Sequence, residues 1–461
     1  MTILSHINLP YSKDNIAVPN PANHEIVGYV TNTDQSTLTR TIDTAIEAQK
    51  SWGRTTGSER AILLRKWHEL IIAHADELAE IITLENGKVL LDAKSEIAYG
   101  ASFVEWFASQ ATEIHEDYAE GTKPGQTIIT SYEPVGVVAA ITPWNFPNAM
   151  ITRKISPALA AGCSIILKPS ELTPLSALAL GYLAQKAGFP KGVVNIVTGD
   201  SHMIGKTLCD DFRIRKISFT GSTAVGKILY EQSAGTLKRM SLELGGNAPF
   251  IICADADIAH AIECLIPAKI RSSSQACTSP NRIFIHSDIY DEVTKTLAER
   301  FNQIKPRIDI GPLINQKSID KVVHLVKDAT SKGAKILCGG EVVDGTFFKP
   351  TVLINCTDDM DIFMAEIFAP VLACYKFNTI EEVVARANNT EYGLASYVFS
   401  RSKTTIDQLS TELDFGMVGI NTAIVSNYRG AFAGRKASGF GIEGGHLGIY
   451  EYLNTKYLCV E

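Results

Sequence analysis

The 461-residue chain carries 43 Lys and Arg against 50 Asp and Glu, a formal net charge of −7, with 45% hydrophobic and 20% charged residues. That is globular composition, about three domains' worth at roughly 150 residues each, and it excludes a disordered, collagenous or coiled-coil chain. There is no long basic run to meet nucleic acid or an anionic membrane, and no run of about 18 uncharged apolar residues to span a bilayer. The nine cysteines are odd in number and include no C-x-x-C pair, which argues against a disulfide framework or a zinc ribbon and for a reducing compartment. The histidines include no H-E-x-x-H pair, so no metal site is expected. The N-terminal MTILSHINLPYSKD lacks the charged start and apolar stretch of a signal peptide, which makes a cytoplasmic location the expectation.

In chain order, the first third reads helical. Apolar positions recur at three- and four-residue spacing over 35–52 and 58–86, and a third helix covers about 89–114. Residues 127–138 are rich in β-branched side chains and broken by Glu133-Pro134-Val135-Gly136, the pattern of strand, turn, strand. Short apolar strands at 137–141, 164–168, 193–197, 216–220 and 241–244 then alternate with helices near 148–161, 174–187, after Asp200, and at 222–233. Such alternation predicts a doubly wound parallel sheet. A second α/β series follows Gly245-Gly246, the candidate hinge, with helices near 257–274, 288–303, 318–332, 380–389 and 401–411 and strands that include 282–286, 394–399 and 416–421. The tail 446–461 is too apolar for a fraying terminus; packing on its own chain and docking on another subunit both account for it.

Four segments can carry chemistry. Lys216–Lys227 runs strand, Gly221-Ser222 turn and helix start, and nearly matches a P-loop; Ile228 stands where a magnesium-binding hydroxyl is needed, which leaves a metal-free phosphate cradle or an ordinary turn. Lys168, Ser170 and Glu171 close an apolar strand, where ligands bind in open α/β sheets; Lys168 can donate to ribose hydroxyls, while Glu171 accepts from them and repels a 2′-phosphate, favouring NAD over NADP. A solvated charge pair is the bland alternative. Cys277 lies among small polar residues rather than in an apolar strand, the setting of a reactive thiol rather than of a buried one. Glu243, between Leu242 and Leu244, is a carboxylate in an apolar strand: a buried ion pair or a general base with a raised pKa.

These residues occur together with Ile141-Thr142-Pro143-Trp144-Asn145-Phe146-Pro147, and from about residue 15 onward the set resembles the aldehyde dehydrogenase superfamily. The resemblance implies an α/β fold with two doubly wound α/β domains and a small β arm for oligomerisation. Residues 1–114 and 135–245 would form the dinucleotide-binding domain, 246–444 the catalytic domain, and 115–134 with 445–461 the arm of a homodimer or homotetramer. It implies oxidation of an aldehyde to a carboxylic acid with NAD, or NADP as well. Cys277 would be the nucleophile, Asn145 an oxyanion donor and Glu243 the activator of water. Trp144, Lys168, Ser170, Glu171, Gly221, Ser222, Leu244, Glu366 and Phe368 would hold the cofactor. The run Pro143–Lys154 is similar to the succinate-semialdehyde dehydrogenase branch, which makes Arg153, Arg271 and Ser426 the anchor for a substrate carboxylate, a role that suits the guanidinium fork.

Departures from the family pattern lie near the expected substrate or cofactor. Ser279 stands where the branch often has a second cysteine, Ser274 and Ala369 replace glycines, and Ala431-Phe432-Ala433-Gly434 replaces Pro-Phe-Gly-Gly. Each adds bulk or removes backbone freedom without removing a reacting group. Succinic semialdehyde leads as substrate; glutaric semialdehyde, a broad aliphatic range, and an NAD-binding protein without turnover stay open.

Overall fold

The computed structural model describes residues 2–461. The strands expected between 137 and 244 join in one sheet, ordered Gly439–Phe440, Arg239–Glu243, Ile214–Thr220, Val137–Ile141, Ile165–Lys168, Val194–Ile196. All neighbours run parallel except the first pair, where Gly439 lies antiparallel to Glu243 and Phe440 to Leu242. Successive residues face opposite ways, yet both faces are apolar. Val138, Ala140, Ile165 and Leu167 enter one core, and Val137, Ala139 and Ile166 another on the far side. This is why the strands read as continuous apolar runs rather than alternating ones.

The second sheet is ordered Lys335–Cys338, Thr351–Ile354, Val371–Phe377, Pro280–His286, Ala248–Ile252, Ala395–Phe399, Met417–Ile420. It is parallel apart from the edge pair Lys335–Cys338 and Thr351–Ile354. Cores again lie on both faces, one around Phe284 and Tyr375, the other around Phe250 and Tyr397.

The helical first third holds with one division. The helix expected over 58–86 breaks at His74 into Gly57–Ala73 and Ala75–Asn86, because His74 (φ −109°, ψ 20°) ends one helix and starts the next. The helix expected at 257–274 ends at Ile270, before a stretch of left-handed backbone. The short N-terminal helix Ile3–Ile7 and the pair Ile16–Pro19 and Ile26–Val30 are too brief for periodicity to reveal.

A three-stranded antiparallel sheet, ordered Leu453–Val460, Thr127–Pro134, Asp117–Glu120, projects with most of its residues exposed. The apolar tail therefore divides. Ile449, Tyr452 and Leu453 pack into the chain's own core, while Tyr457, Leu458 and Val460 stay exposed.

The helix Leu175–Ala187 starts at Pro174 without a side-chain cap of its own. Glu85, wholly buried, supplies the missing acceptor: it takes N–H bonds from Leu175 (2.6 Å) and Ser176 (2.8 Å) and the hydroxyl of Ser176. Glu85→Ala strands these donors in the core at about 3 kcal/mol, and the thermal midpoint should fall by several degrees, with Glu85→Gln losing less.

Candidate active site

A cavity of about 290 Å³ opens between the two sheets at the carboxyl ends of their strands, where side chains from successive strand ends converge. Twelve of the side chains and backbone turns expected from sequence line it: Trp144, Asn145, Arg153, Gly221, Ser222, Glu243, Leu244, Arg271, Cys277, Glu366, Phe368 and Ser426. Lys168, Ser170 and Glu171 stand apart from it, at the end of the neighbouring strand Ile165–Lys168.

Cys277 sits on the turn between the helix Ile258–Ile270 and the strand Pro280–His286. Before it, Ser272, Ser273 and Ser274 take φ of 50°, 56° and 67°, three left-handed residues in succession without a glycine. Each costs roughly 1–2 kcal/mol relative to ordinary backbone. The turn is packed from behind by Gly246, where a Cβ would stand 2.1 Å from the Cys277 carbonyl oxygen. The two-glycine junction is thus a point of close approach rather than only a hinge. Burial, and next the carboxylates of Glu366 and Glu243, push the Cys277 thiol up to about 12.

Asn145 follows the strand Val137–Ile141. Its Nδ2 donates to the Gln275 carbonyl at 2.8 Å, which uses one amide proton and leaves the second for the cavity. The loop is fixed by a residue that sequence reading missed: Lys88 donates to the Asn145 carbonyl at 2.9 Å and pairs with Glu96, whose other oxygen accepts N–H bonds from Asn148 (2.8 Å) and Ala149 (3.2 Å). The pair is a plain buried Lys and Glu eight residues apart, and no local pattern marks it.

Glu243 ends the strand Arg239–Glu243, 2% exposed, with neither carboxylate oxygen hydrogen-bonded among the described residues. Burial first and the charge of Glu443 second raise its pKa well above the ordinary range. Glu443 was not foreseen from sequence. It lies just beyond the edge strand Gly439–Phe440 and is gripped by two cations from the helix Ala149–Ala160, Lys154 in contact with Oε1 and Arg153 Nε 2.8 Å from Oε2. Burial alone would raise Glu443; Lys154 and Arg153 outweigh it and hold the carboxylate ionised.

Arg153 is buried, with its guanidinium 3.7 Å from the Phe432 ring centre, and Nη1 reaches the Tyr99 hydroxyl at 3.4 Å. Its Nη2 has no hydrogen-bond partner among the described residues, an open donor beside the cavity. Tyr99 in turn shares a 2.5 Å bond with Ser426. Arg271, exposed at the rim, lies over the rings of Phe146 (4.8 Å) and Tyr99 (5.6 Å). Two guanidinium groups, a phenol and a hydroxyl therefore face one space, a set suited to a carboxylate.

The other end suits a dinucleotide. A Cβ on Gly221 would stand 2.4 Å from the Phe219 ring, Ser222 caps the helix Thr223–Ser233 by accepting from Val225 N–H (3.3 Å), and the buried Thr220 hydroxyl has no partner among the described residues. Lys168 Nζ lies 3.1 Å from Glu171 and 2.5 Å from the Ser201 hydroxyl, which donates to Glu171 at 2.9 Å. Ser170 is buried and accepts from Leu172 N–H. Glu366 accepts from Gly246 N–H at 2.9 Å, and burial raises it to about 7. Trp144 and Phe368 meet edge to face, 5.7 Å between ring centres. Ser318 and Lys321, on the helix Gln316–Ser331, line the same end and were not foreseen.

A profile described as the aldehyde dehydrogenase family matches residues 9–458. The chain is 45% identical to a glutarate-semialdehyde dehydrogenase of Pseudomonas putida over 96% of this chain and 94% of that protein. It is 44% identical to a succinate-semialdehyde dehydrogenase [NADP(+)] of Escherichia coli with the same coverage of each. The crystal structure of succinate-semialdehyde dehydrogenase from Burkholderia pseudomallei superposes with a TM-score of 0.96 at 45% identity, covering 97% of this chain and 94% of that one.

Gly246→Ala is expected to push the Cys277 turn aside while leaving both sheets folded. A displacement near 1 Å costs about 100-fold in rate, so aldehyde oxidation should fall by about that factor with the circular dichroism spectrum unchanged.

Proposed function

Since the chain belongs to the aldehyde dehydrogenase family and is an aldehyde oxidoreductase, we propose that it oxidises succinic semialdehyde to succinate with NAD. The observation that carries the reading is the cluster of Arg153, Arg271, Tyr99 and Ser426 in the cavity that also holds Cys277. The relatives' own names, glutarate- and succinate-semialdehyde dehydrogenase, support an aldehyde whose far end is a carboxylate.

In this reading the thiol of Cys277 attacks the aldehyde carbon as its proton passes to solvent water, and the carbonyl oxygen becomes an oxyanion. The second Nδ2 proton of Asn145 and the Cys277 N–H stabilise that charge; such donors are worth about 3 kcal/mol each in a transition state. NAD, when bound, would supply the acceptor for the hydride that the thiohemiacetal carbon gives up, and Cys277 would then carry a thioester. Glu243 then takes a proton from water; the hydroxide adds to the thioester, and the acid departs as the thiol is restored. Burial first and the charge of Glu443 second raise Glu243 well above the ordinary carboxylate range, which makes it a stronger base than a solvated carboxylate. Glu366 and Phe368 would hold the nicotinamide end, Trp144, Leu244, Gly221 and Ser222 the middle, and Lys168, Ser170 and Glu171 the adenosine ribose. The carboxylate of Glu171, held by Lys168 and Ser201, supports NAD over NADP, since it would oppose a 2′-phosphate.

In the same reading, 1–114 with 135–245 binds the dinucleotide and 246–444 carries the catalytic turn. Association into a dimer or tetramer would use the strands Asp117–Glu120, Thr127–Pro134 and Leu453–Val460, with the packed segment 447–452 belonging to the body instead.

Arg271→Leu should lower kcat/KM for succinic semialdehyde by about 100-fold, roughly 3 kcal/mol for a lost charge-assisted pair, while leaving propanal within a few-fold. A glutaric semialdehyde preference would move the chain length and keep the anchor; an equal loss on propanal would remove the anchor. Cys277→Ser should abolish NADH formation, and NAD should exceed NADP in kcat/KM.

The raised thiol gives a pH prediction. Below a pKa of about 12 the thiolate fraction grows about tenfold per pH unit. Without cofactor, iodoacetamide alkylation of Cys277, followed by peptide mass spectrometry, should therefore still be rising at pH 9 rather than levelling near pH 8.

A further inference from the structure

We propose that the buried hydrogen bond between Ser274 and Ser279 is a positioning device for the Cys277 thiol, a latch that keeps the left-handed turn from relaxing. The inference rests on the reading of Cys277 as nucleophile. Three successive serines hold φ of 50°, 56° and 67°, a region in which side-chain-bearing residues persist only where surrounding contacts over-determine them. Each of the three has such a contact. Ser272 N–H donates to Asp92 at 2.8 Å, and the Ser273 hydroxyl donates to the Gly311 carbonyl at 2.8 Å. The Ser274 hydroxyl meets that of Ser279 at 2.7 Å.

The third contact differs from the other two because it spans the nucleophile. Ser274 precedes Cys277 and Ser279 follows it, and Ser279 is fixed on its own side by its N–H bond to the Ala276 carbonyl at 3.0 Å. Ser274 is fully buried and Ser279 nearly so, so no bulk water competes for the bond. Opening it releases Ser274 toward ordinary φ and carries Cys277 with it. A side chain at position 274 thus needs a hydroxyl at 279 to hold its backbone.

The mechanism makes a particular demand. Glycine adopts the left-handed region freely, so with glycine at 274 the latch becomes dispensable. The test compares wild type, Ser279→Ala, Ser274→Gly and the double variant, with Cys277→Ser as the control for the nucleophile. Measured are kcat, KM for aldehyde and for NAD, the rate of iodoacetamide alkylation at Cys277, and the thermal midpoint. Ser279→Ala should lose about tenfold in kcat and in alkylation rate, on the scale expected for a sub-ångström displacement, with KM for NAD within about twofold. The double variant should return to within about threefold of Ser274→Gly in both rates. Wild-type rates in Ser279→Ala would overturn the proposal. So would a double variant as slow as Ser279→Ala, or one that recovers thermal stability without recovering rate. An inactive Cys277→Ser beside an unimpaired Ser279→Ala removes the latch alone; an active Cys277→Ser removes the nucleophile and the latch's purpose with it.

Discussion

The arrangement of the site depends on one buried group of charges. Glu443 is held between Arg153 and Lys154, all three shut away from solvent. Burying any one of them alone would cost several kcal/mol; together they neutralise most of the penalty and leave an excess of one positive charge. Glu243 is raised by its own burial first and by the charge of Glu443 second, against the pull of Arg153 and Lys154. The result is a carboxyl group that makes no hydrogen bond among the described residues and holds its proton more tightly than an ordinary carboxylic acid. A substrate carboxylate that settles on Arg153 would add a further negative charge to this cluster and so strengthen Glu243 as a base.

The guanidinium of Arg153 has an anion on one side and an open donor on the other. Toward the protein it meets Glu443; toward the cavity its Nη2 has no partner among the described residues. The aromatic faces of Phe432 and Phe103 hold it from the sides, so its position is set by packing before any ligand arrives. Arg271 at the rim is stacked on Phe146 and Tyr99 and is more exposed. One fixed and one adaptable donor can accept carboxylates at slightly different depths, and the choice between four and five carbons rests on only about 1–3 kcal/mol per methylene.

Much of this was legible in the sequence, for definite reasons. The strands of the first sheet were found because both of their faces are buried, which makes Ile165-Ile166-Leu167 continuous rather than alternating. Glu243 stood out as a carboxylate in an apolar strand, and Cys277 as a thiol among small polar residues. What escaped detection is carried by long-range contact. The strand Gly439–Phe440 is two residues long and means nothing until it meets Leu242 and Glu243. Lys88 and Glu96, which reach Asn145 and Asn148, and Glu443 with Lys154 are ordinary charged residues whose role comes from partners far away in the chain. The break at His74 escaped because helical periodicity continues on both sides of it. The left-handed serines escaped because nothing in their chemistry favours that conformation, and only the packed turn enforces it.

The edge strand has a consequence for how the protein comes into being. The first sheet is built from residues 137–243 except for its border, which arrives from 439–440, and the projecting sheet likewise waits for 453–460 to join 127–134. Synthesis proceeds from the N-terminus, so Arg153, Lys154, Glu243 and Cys277 are all made before Glu443. Until then the two cations lack the counter-ion that holds them in the finished fold. The charge balance of the site is thus supplied by a segment made well after the strands it completes, and a chain cut short before that segment lacks it.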